Sequence, residues 1–407
     1  MDEVAVVTIL ISLIKKKKEK KNLKNKIVKK RSLWSREWLK KRNSGKDLSN
    51  MVLKELQLED PPSFENFCRL PKHLFNKLLE IVGPTITKQD TILRQAIPAS
   101  TRLLITLRYL STGNTFTDMS YSFRVSVPAI SIIIPETLKA IYYNLKDVYL
   151  KGCTTTEEWL DVATEFNNKW NFPMCLGAID GKHIAIRAKK SDGSFYYNYK
   201  GFNSIILMAF VDADYKFIFV DVGSNGRAND ASVFNQSEIG IAIRNEALNF
   251  PENQELPGSD VKVPFVFVAD EAFRLSTRIL KPYSQRNEHE NKIFNYRLSR
   301  ARRVSENCFG QLVNRFQILL KEITLDVEKA ELITLTCCVL HNFLKIENHN
   351  DDSFQCTQRN ATLTTIEHSP GHRSSNDASA VRDIFRTYFN NEGQVSWQAE
   401  AVTKFNF

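Results

Sequence analysis

The spacing of apolar positions divides the chain before any single residue does. Between residues 46 and about 150 they recur at helical intervals. In 98–116, Leu103, Ile105, Leu107 and Leu110 fall on one helix, and Gly113 supplies its stop. A short helix is predicted from Thr117 to Phe123. A second follows Ser126, a candidate cap, with Pro128 in the first turn, where a missing N–H is harmless. Helix, short turn, helix is the order of a helix-turn-helix. The second helix carries Ile130, Ile132, Ile133 and Ile134 with few basic residues, so DNA contact and ordinary helical packing are both open.

From 151 to about 347 the period alternates between two and 3.6. Strands are predicted over 173–180, 203–214, 216–224 and 263–270, with Ala213 and Asp214 turning the second into the third as a hairpin. A helix over 229–243 opens on Asn229 or Asp230. A long one from Glu290 to Leu320 places Phe294, Leu298, Ala301, Cys308, Phe309, Leu312 and Phe316 on one face, and Lys329–Leu344 is apolar on most sides. Residues 348–376 are polar and read as a linker, and a short helix is predicted over Ala378–Phe389. No internal repeat is present. The organisation expected is a disordered basic arm (1–45), a helical domain (46–150), an α/β domain (151–347) and a polar tail ending in a short helix (348–407).

Charge changes this picture at one end only. The net charge of the 407 residues is +10. Residues 15–31 alone, with ten lysines, Arg31 and Glu19, also sum to +10, so the remainder is close to neutral. Such a run reads as a nuclear address, a phosphate contact or a solvated tail. The apolar run Val4–Ile14 is too short to span a bilayer, and its charges follow it, the reverse of a signal peptide, so no membrane partner is expected. Seven cysteines without a CxxC pair suggest neither a zinc site nor a disulfide framework.

Strand, two-stranded hairpin, helix, strand, helix is the element order of the RNase H-like fold, an α/β class with a mixed sheet flanked by helices. In that fold, carboxylates from the first strand, the fourth strand and a following helix converge at one edge. Acids stand at all three places: Asp180, Asp270 and Glu306. Asp180 closes the apolar run of "LGAIDGKHIAIR", with Gly181 expected to leave room for metal or phosphate. A lone carboxylate ending an apolar strand is costly, and a cluster is worse, unless a cation reverses the sign. Mg²⁺ suits such oxygen ligands, and two ions about 4 Å apart can activate water and stabilise a leaving oxygen. Glu306 lies at about 80° from Leu298 on its helix, at the border of the apolar face. There it can reach inward as a ligand or pair with Arg302 four residues away.

Other assignments compete. Asp230 rivals Asp270, but it opens a helix, where Asp caps well, and does not follow the fourth strand. Asp212, Asp214 and Asp221 belong to the hairpin as turn or surface residues. His183 can carry a proton or be structural, and His341 reads as core. Lys200, Arg187 and Arg274 can approach a phosphate backbone or lie on the surface. Tyr196, Tyr197 and Tyr199 can stack on bases or simply pack.

The segments "GAIDGKHIAIR", "YYNYKGFNSIILMAFVDAD", "GSNGRANDASVF", "VADEAFRLSTRILKPY" and "FNYRLSRARRVSENCFGQLVNRFQIL" resemble the DDE endonuclease domain of Harbinger-type transposases, and the host nuclease-like proteins derived from them. The resemblance covers roughly 153–347, and "LRYLSTGNTFTDMSYSFRVS" extends it into the helical region. It implies that Asp180 in the "DG.H" segment, Asp270 and Glu306 in "R..E..FG" form the carboxylate triad, with 35 residues between the last two. It further implies a metal-dependent DNA endonuclease in the nucleus, using Mg²⁺ or alternatively Mn²⁺, and a separate Myb-like DNA-binding partner protein. Lys182 departs from the usual Thr, and Arg274 from the usual Pro; neither removes a carboxylate. The alternatives are a domesticated DNA-binding or scaffold protein without turnover, and an RNA-cleaving enzyme of the same fold.

Overall fold

The computed structural model describes residues 36–92, 95–228, 230–284, 288–348, 363–365 and 375–404. The basic run, the apolar run before it, Asn229 and most of the polar linker lie outside the described residues. Residues 37–44, expected within the arm, are helical, and Gly45 ends them in the left-handed region.

The first half of the described chain is a helical layer: α1 (Pro61–Cys68), α2 (Lys72–Ile86), α3 (Ala99–Thr112), α4 (Phe116–Phe123) and α5 (Val127–Tyr149). Gly113 stops α3 at φ 61°, a conformation glycine adopts without a Cβ penalty, and its N–H donates to the Tyr109 carbonyl at 2.8 Å. Helices α4 and α5 turn 101° from one another, as in a helix-turn-helix. Ser126 holds the N-cap position of α5 with extended backbone, but its side chain makes no cap bond. Ile130, Ile133, Ile134, Leu138 and Ile141 of α5 are buried. Its exposed first turns show Val127 and Ile132 and carry no Lys or Arg. α5 is therefore a core helix, and of the two readings its contacts speak for packing.

The second half is α/β. After α6 (Thr156–Trp170) come β1 (Cys175–Ala185), β2 (Ser204–Val211) and β3 (Phe217–Asn225), then α7 (Asp230–Gln236) and α8 (Glu238–Arg244). Strands β4 (Gln254–Glu255) and β5 (Lys262–Val263) form a separate ribbon; β6 (Val266–Val268) and β7 (Ile279–Leu280) rejoin the main sheet. Helices α9 (His289–Arg315) and α10 (Val327–Glu347) follow. Last come β8 (Thr364–Thr365), α11 (Asn376–Asn390) and α12 (Gln398–Lys404). The sheet order is β3-β2-β1-β6-β7, antiparallel from β3 to β1 and parallel from β1 to β7. This is the mixed, helix-flanked sheet of the RNase H-like class.

Three expectations shift. β1 does not end at Asp180; it runs on to Ala185 because β2 keeps pairing with it through Ala185↔Ser204. The fourth strand is broken into β5 and β6, since Pro264 between them has no N–H for a ladder. The long helix ends at Arg315, and Gln317–Leu320 is a separate 3-10 turn.

Two faces of the sheet are packed differently. On one, Phe210, Phe219 and Phe267 meet edge-on and Trp159 of α6 covers them. Burying each such ring stabilises by roughly 2–3 kcal/mol. On the other lies α9, with Phe309 against Phe217 of β3. The helical layer is joined to α10. Asn342 donates to the Tyr149 carbonyl at 2.7 Å, and Tyr149 Oη donates to Glu347 at 2.6 Å.

Candidate active site

Asp180 sits in the middle of β1, opposite Ala209 of β2, and is only 2% exposed. Alternation along the strand puts its side chain on the face of Ala178 and Lys182, the face covered by α9. Gly181 points to the other face, so its missing side chain clears nothing beside the carboxylate. Its contribution is its N–H, which donates to Asp180 Oδ1 at 2.9 Å. Asp180 Oδ2 is buried and makes no hydrogen bond in good geometry, although Lys182 Nζ stands 2.9 Å away as an ion pair.

Asp270 follows β6. The last paired positions of the parallel strands are Ala178 and Val268, and the two aspartates each lie two residues further on. Neighbouring strands are about 4.8 Å apart, so register brings Asp180 and Asp270 level where β6 ends beside the middle of β1. Asp270 Oδ1 accepts from the Ala272 N–H at 3.0 Å. Glu306 lies on α9 above them, 47% exposed in its side chain, and pairs with Arg302 at 2.7 Å. Arg302 connects all three. Burial pulls its guanidinium down, but Glu306, Asp180 and Asp270 together more than offset this and raise it above its ordinary value. Charges act on one another beyond contact distance, so this sets Asp180 and Asp270 in the neighbourhood of Arg302, while Glu306 pairs with it directly.

The donors are hard oxygens, and Asp180 Oδ2 is buried without a hydrogen bond and faces a cation, Lys182, as an oxygen that takes a cation does. By donor chemistry these residues fit a hard divalent metal. Among the described residues, no three His, Cys, Asp or Glu side chains already stand grouped to hold one. Lys182 and Arg302 instead hold two of the acids.

His183 faces away from the acids. Its Nδ1 lies 2.9 Å from Ser204 Oγ, which also accepts from Asn198, and its ring meets Tyr199 and Phe202. Burial, aided by Lys200 and Lys182, depresses it to about 4, which keeps the ring neutral at pH 7. Lys200 is exposed, with Nζ 5.5 Å from the Tyr199 ring centre. Arg187 pairs with Glu322 at 3.0 Å on the surface. Arg274 is exposed beside a cavity whose other walls are Phe234, Ile243, Arg244 and Ser276, not the acids. Tyr197 and Tyr199 are exposed, with Phe195, on the loop leaving β1, while Tyr196 packs on the core. Asp230 opens α7, in a different element from β6. Asp212 is a buried turn residue, its carboxylate accepting from the N–H groups of Asp214 and Lys216, and Asp214 pairs with Lys169. Burial raises Asp221, with Glu238 adding to it. His341 is core, 2.8 Å from the Tyr215 carbonyl.

Two basic residues at the acids were given no role there from sequence. Lys182 is 4% exposed, and its position two residues after Asp180 on a strand was the signal that they share a face. Lys281, which follows β7, feels Asp270 as well as Glu271; burial dominates and lowers it. No local pattern marks Lys281, because only sheet topology brings it there.

Comparison with known proteins fits this geometry. The DDE superfamily endonuclease family matches residues 179–342. Two relatives named "Putative nuclease HARBI1" are 22% identical in Homo sapiens, over 78% of this chain and 88% of the relative, and 24% identical in Rattus norvegicus, over 67% and 74%. "Protein ALP1-like" of Arabidopsis thaliana is 23% identical over 70% of this chain and 71% of its own length. No solved structure matches significantly.

Proposed function

Because this chain carries a DDE superfamily endonuclease domain of the Harbinger transposase-derived kind, we propose that it cleaves DNA phosphodiester bonds at Asp180, Asp270 and Glu306. The observation that supports this is the parallel register that sets Asp180 and Asp270 on neighbouring strands, beneath the helix that carries Glu306 and Arg302. These carboxylates would hold a divalent cation, Mg²⁺ or Mn²⁺, which when bound supplies Lewis-acid stabilisation and a more acidic water. Water is the nucleophile; the P–O bond to the 3′-oxygen breaks and leaves a 3′-OH. Arg302 and Lys281 bring positive charge to the phosphate undergoing attack, where charge accumulates in the transition state. Tyr197 and Tyr199, exposed beside Lys200, offer faces for unpaired bases and a cation for the backbone. The basic run at 15–31 supports a nuclear location and adds sequence-independent affinity. A Myb-like partner remains part of the proposal from family resemblance alone.

The test is nicking of supercoiled plasmid with Mg²⁺ or Mn²⁺. Asp180→Asn, Asp270→Asn and Glu306→Gln each lower the rate by roughly 10²–10³-fold or more, the scale of losing one charge-stabilising group. Asp230→Asn nicks like wild type. Loss in Asp230→Asn with retention in Asp270→Asn would reassign the second acid. A second reading, DNA binding without turnover, is favoured by the basic side chains already paired to two acids; it predicts plasmid binding with no nicking by any variant.

A further inference from the structure

We propose that Lys182 is a built-in counter-cation that holds the Asp180 oxygen a divalent metal takes, so that metal binding here is a competition whose balance Lys182 sets. The inference rests on the reading of Asp180 as a metal ligand.

Asp180 and Lys182 are two apart on β1 and share a face. Both are almost fully buried, at 2% and 4% exposure. Asp180 Oδ1 is engaged by the Gly181 N–H, which leaves Oδ2 as the oxygen open to a cation. Lys182 Nζ stands 2.9 Å from that oxygen. A metal at the usual Mg–O length of about 2.1 Å from Oδ2 would lie within about 5 Å of the ammonium, with no water to screen the repulsion. One of the two cations has to yield. The lysine does not stand in solvent, because its side chain lies on the sheet face that α9 covers and is only 5% exposed. What it has nearby is the Phe309 ring of α9, whose centre is 5.7 Å from Nζ, a face on which a displaced ammonium can rest. The pair is therefore a resting state in which the acid is neutralised internally, and metal occupancy depends on moving one side chain.

The experiment is a Mn²⁺ titration of the full chain, following free Mn²⁺ by its electron paramagnetic resonance signal. Wild type, Lys182→Met and Lys182→Gln are compared, each with and without Asp180→Asn. Lys182→Met keeps the bulk and removes the charge. Should it fold poorly, Lys182→Gln keeps the question answerable, since its amide can still donate to Asp180. The expected result is Asp180-dependent binding that tightens at least tenfold in the neutral variants, with a larger Mn²⁺-induced rise in melting temperature than wild type shows. Asp180-dependent binding that both variants leave unchanged or weaken overturns the role of Lys182 and leaves the metal reading standing. Absence of Asp180-dependent binding in every variant overturns both.

Discussion

His341 shows what burial does to one titratable residue. Its ring is enclosed by α10 and the β2–β3 turn, with Nε2 placed to donate to the Tyr215 carbonyl. Burial outweighs that bond and depresses its proton affinity to about 3, against an ordinary 6.5. Between those values the unfolded chain binds a proton that the folded chain refuses. Stability from this residue is therefore full above about pH 6.5 and is lost as pH falls toward 3. The loss is about 2 kcal/mol by pH 5. His341→Gln, whose amide can keep the bond to Tyr215, should flatten that part of the profile. Denaturation midpoints of both proteins at pH 7.5 and 5 check this; equal slopes would remove His341 as the cause. The residue scale is also where the candidate acids stood out, each by its place in or after an apolar strand or on a helix edge. The Lys182–Asp180 pair could have been read from strand period alone. The reach of Arg302 beyond Glu306 could not, because Asp180 and Asp270 are its neighbours only in space.

At the scale of elements, α9 does two jobs. Its middle presents Arg302 and Glu306 to the sheet. Just over a turn earlier it is anchored by Arg297, 2% exposed, which donates to the Gly393 carbonyl at 3.1 Å, to Gln398 Oε1 at 2.8 Å and to the Asn171 carbonyl. Its guanidinium also lies 4.4 Å from the centre of the Phe389 ring. The apolar period of α9 was plain in the sequence, and the seven positions read from it, six within α9 and Phe316 just past its end, are all buried. Arg297 was not, since a buried arginine looks like a surface one until its acceptors arrive from residues 171, 393 and 398. Arg297→Met should cost about 3 kcal/mol or more, because it leaves buried carbonyl acceptors unsatisfied. Chemical denaturation measures this, and a cost under 1 kcal/mol would mean that the C-terminal helices seat without it. β8 was equally hidden: two threonines in a polar stretch pair with Lys182 and His183 on the edge of β1 that β6 leaves free.

At the scale of the molecule, charge and packing divide the work. The folded body is nearly neutral, and the basic excess sits at 15–31. Removing residues 1–35 should therefore weaken plasmid binding and reduce its salt dependence, by roughly one unit of log–log slope for each phosphate no longer neutralised. Nicking at saturating DNA should persist. Binding titrations from low to moderate salt check this, and an unchanged slope would place the phosphate-binding cations on the folded body. The helical layer, by comparison, is no detachable module. α5 packs on α10 and is tied to it through Tyr149, Asn342 and Glu347.

By itself the sequence determined the element types and the helix-to-sheet order, and it singled out three acids as candidates. Those depend on local periodicity and on which residue types a strand or helix tolerates at a given step. Only the tertiary structure decided that β1 continues past Asp180, that β8 borders it, that Arg302 feels Asp180 and Asp270 as well as Glu306 and that Arg297 is a buried anchor. Each depends on which distant segments are brought alongside, and pairing and burial between segments far apart in the chain leave no periodic mark on either one.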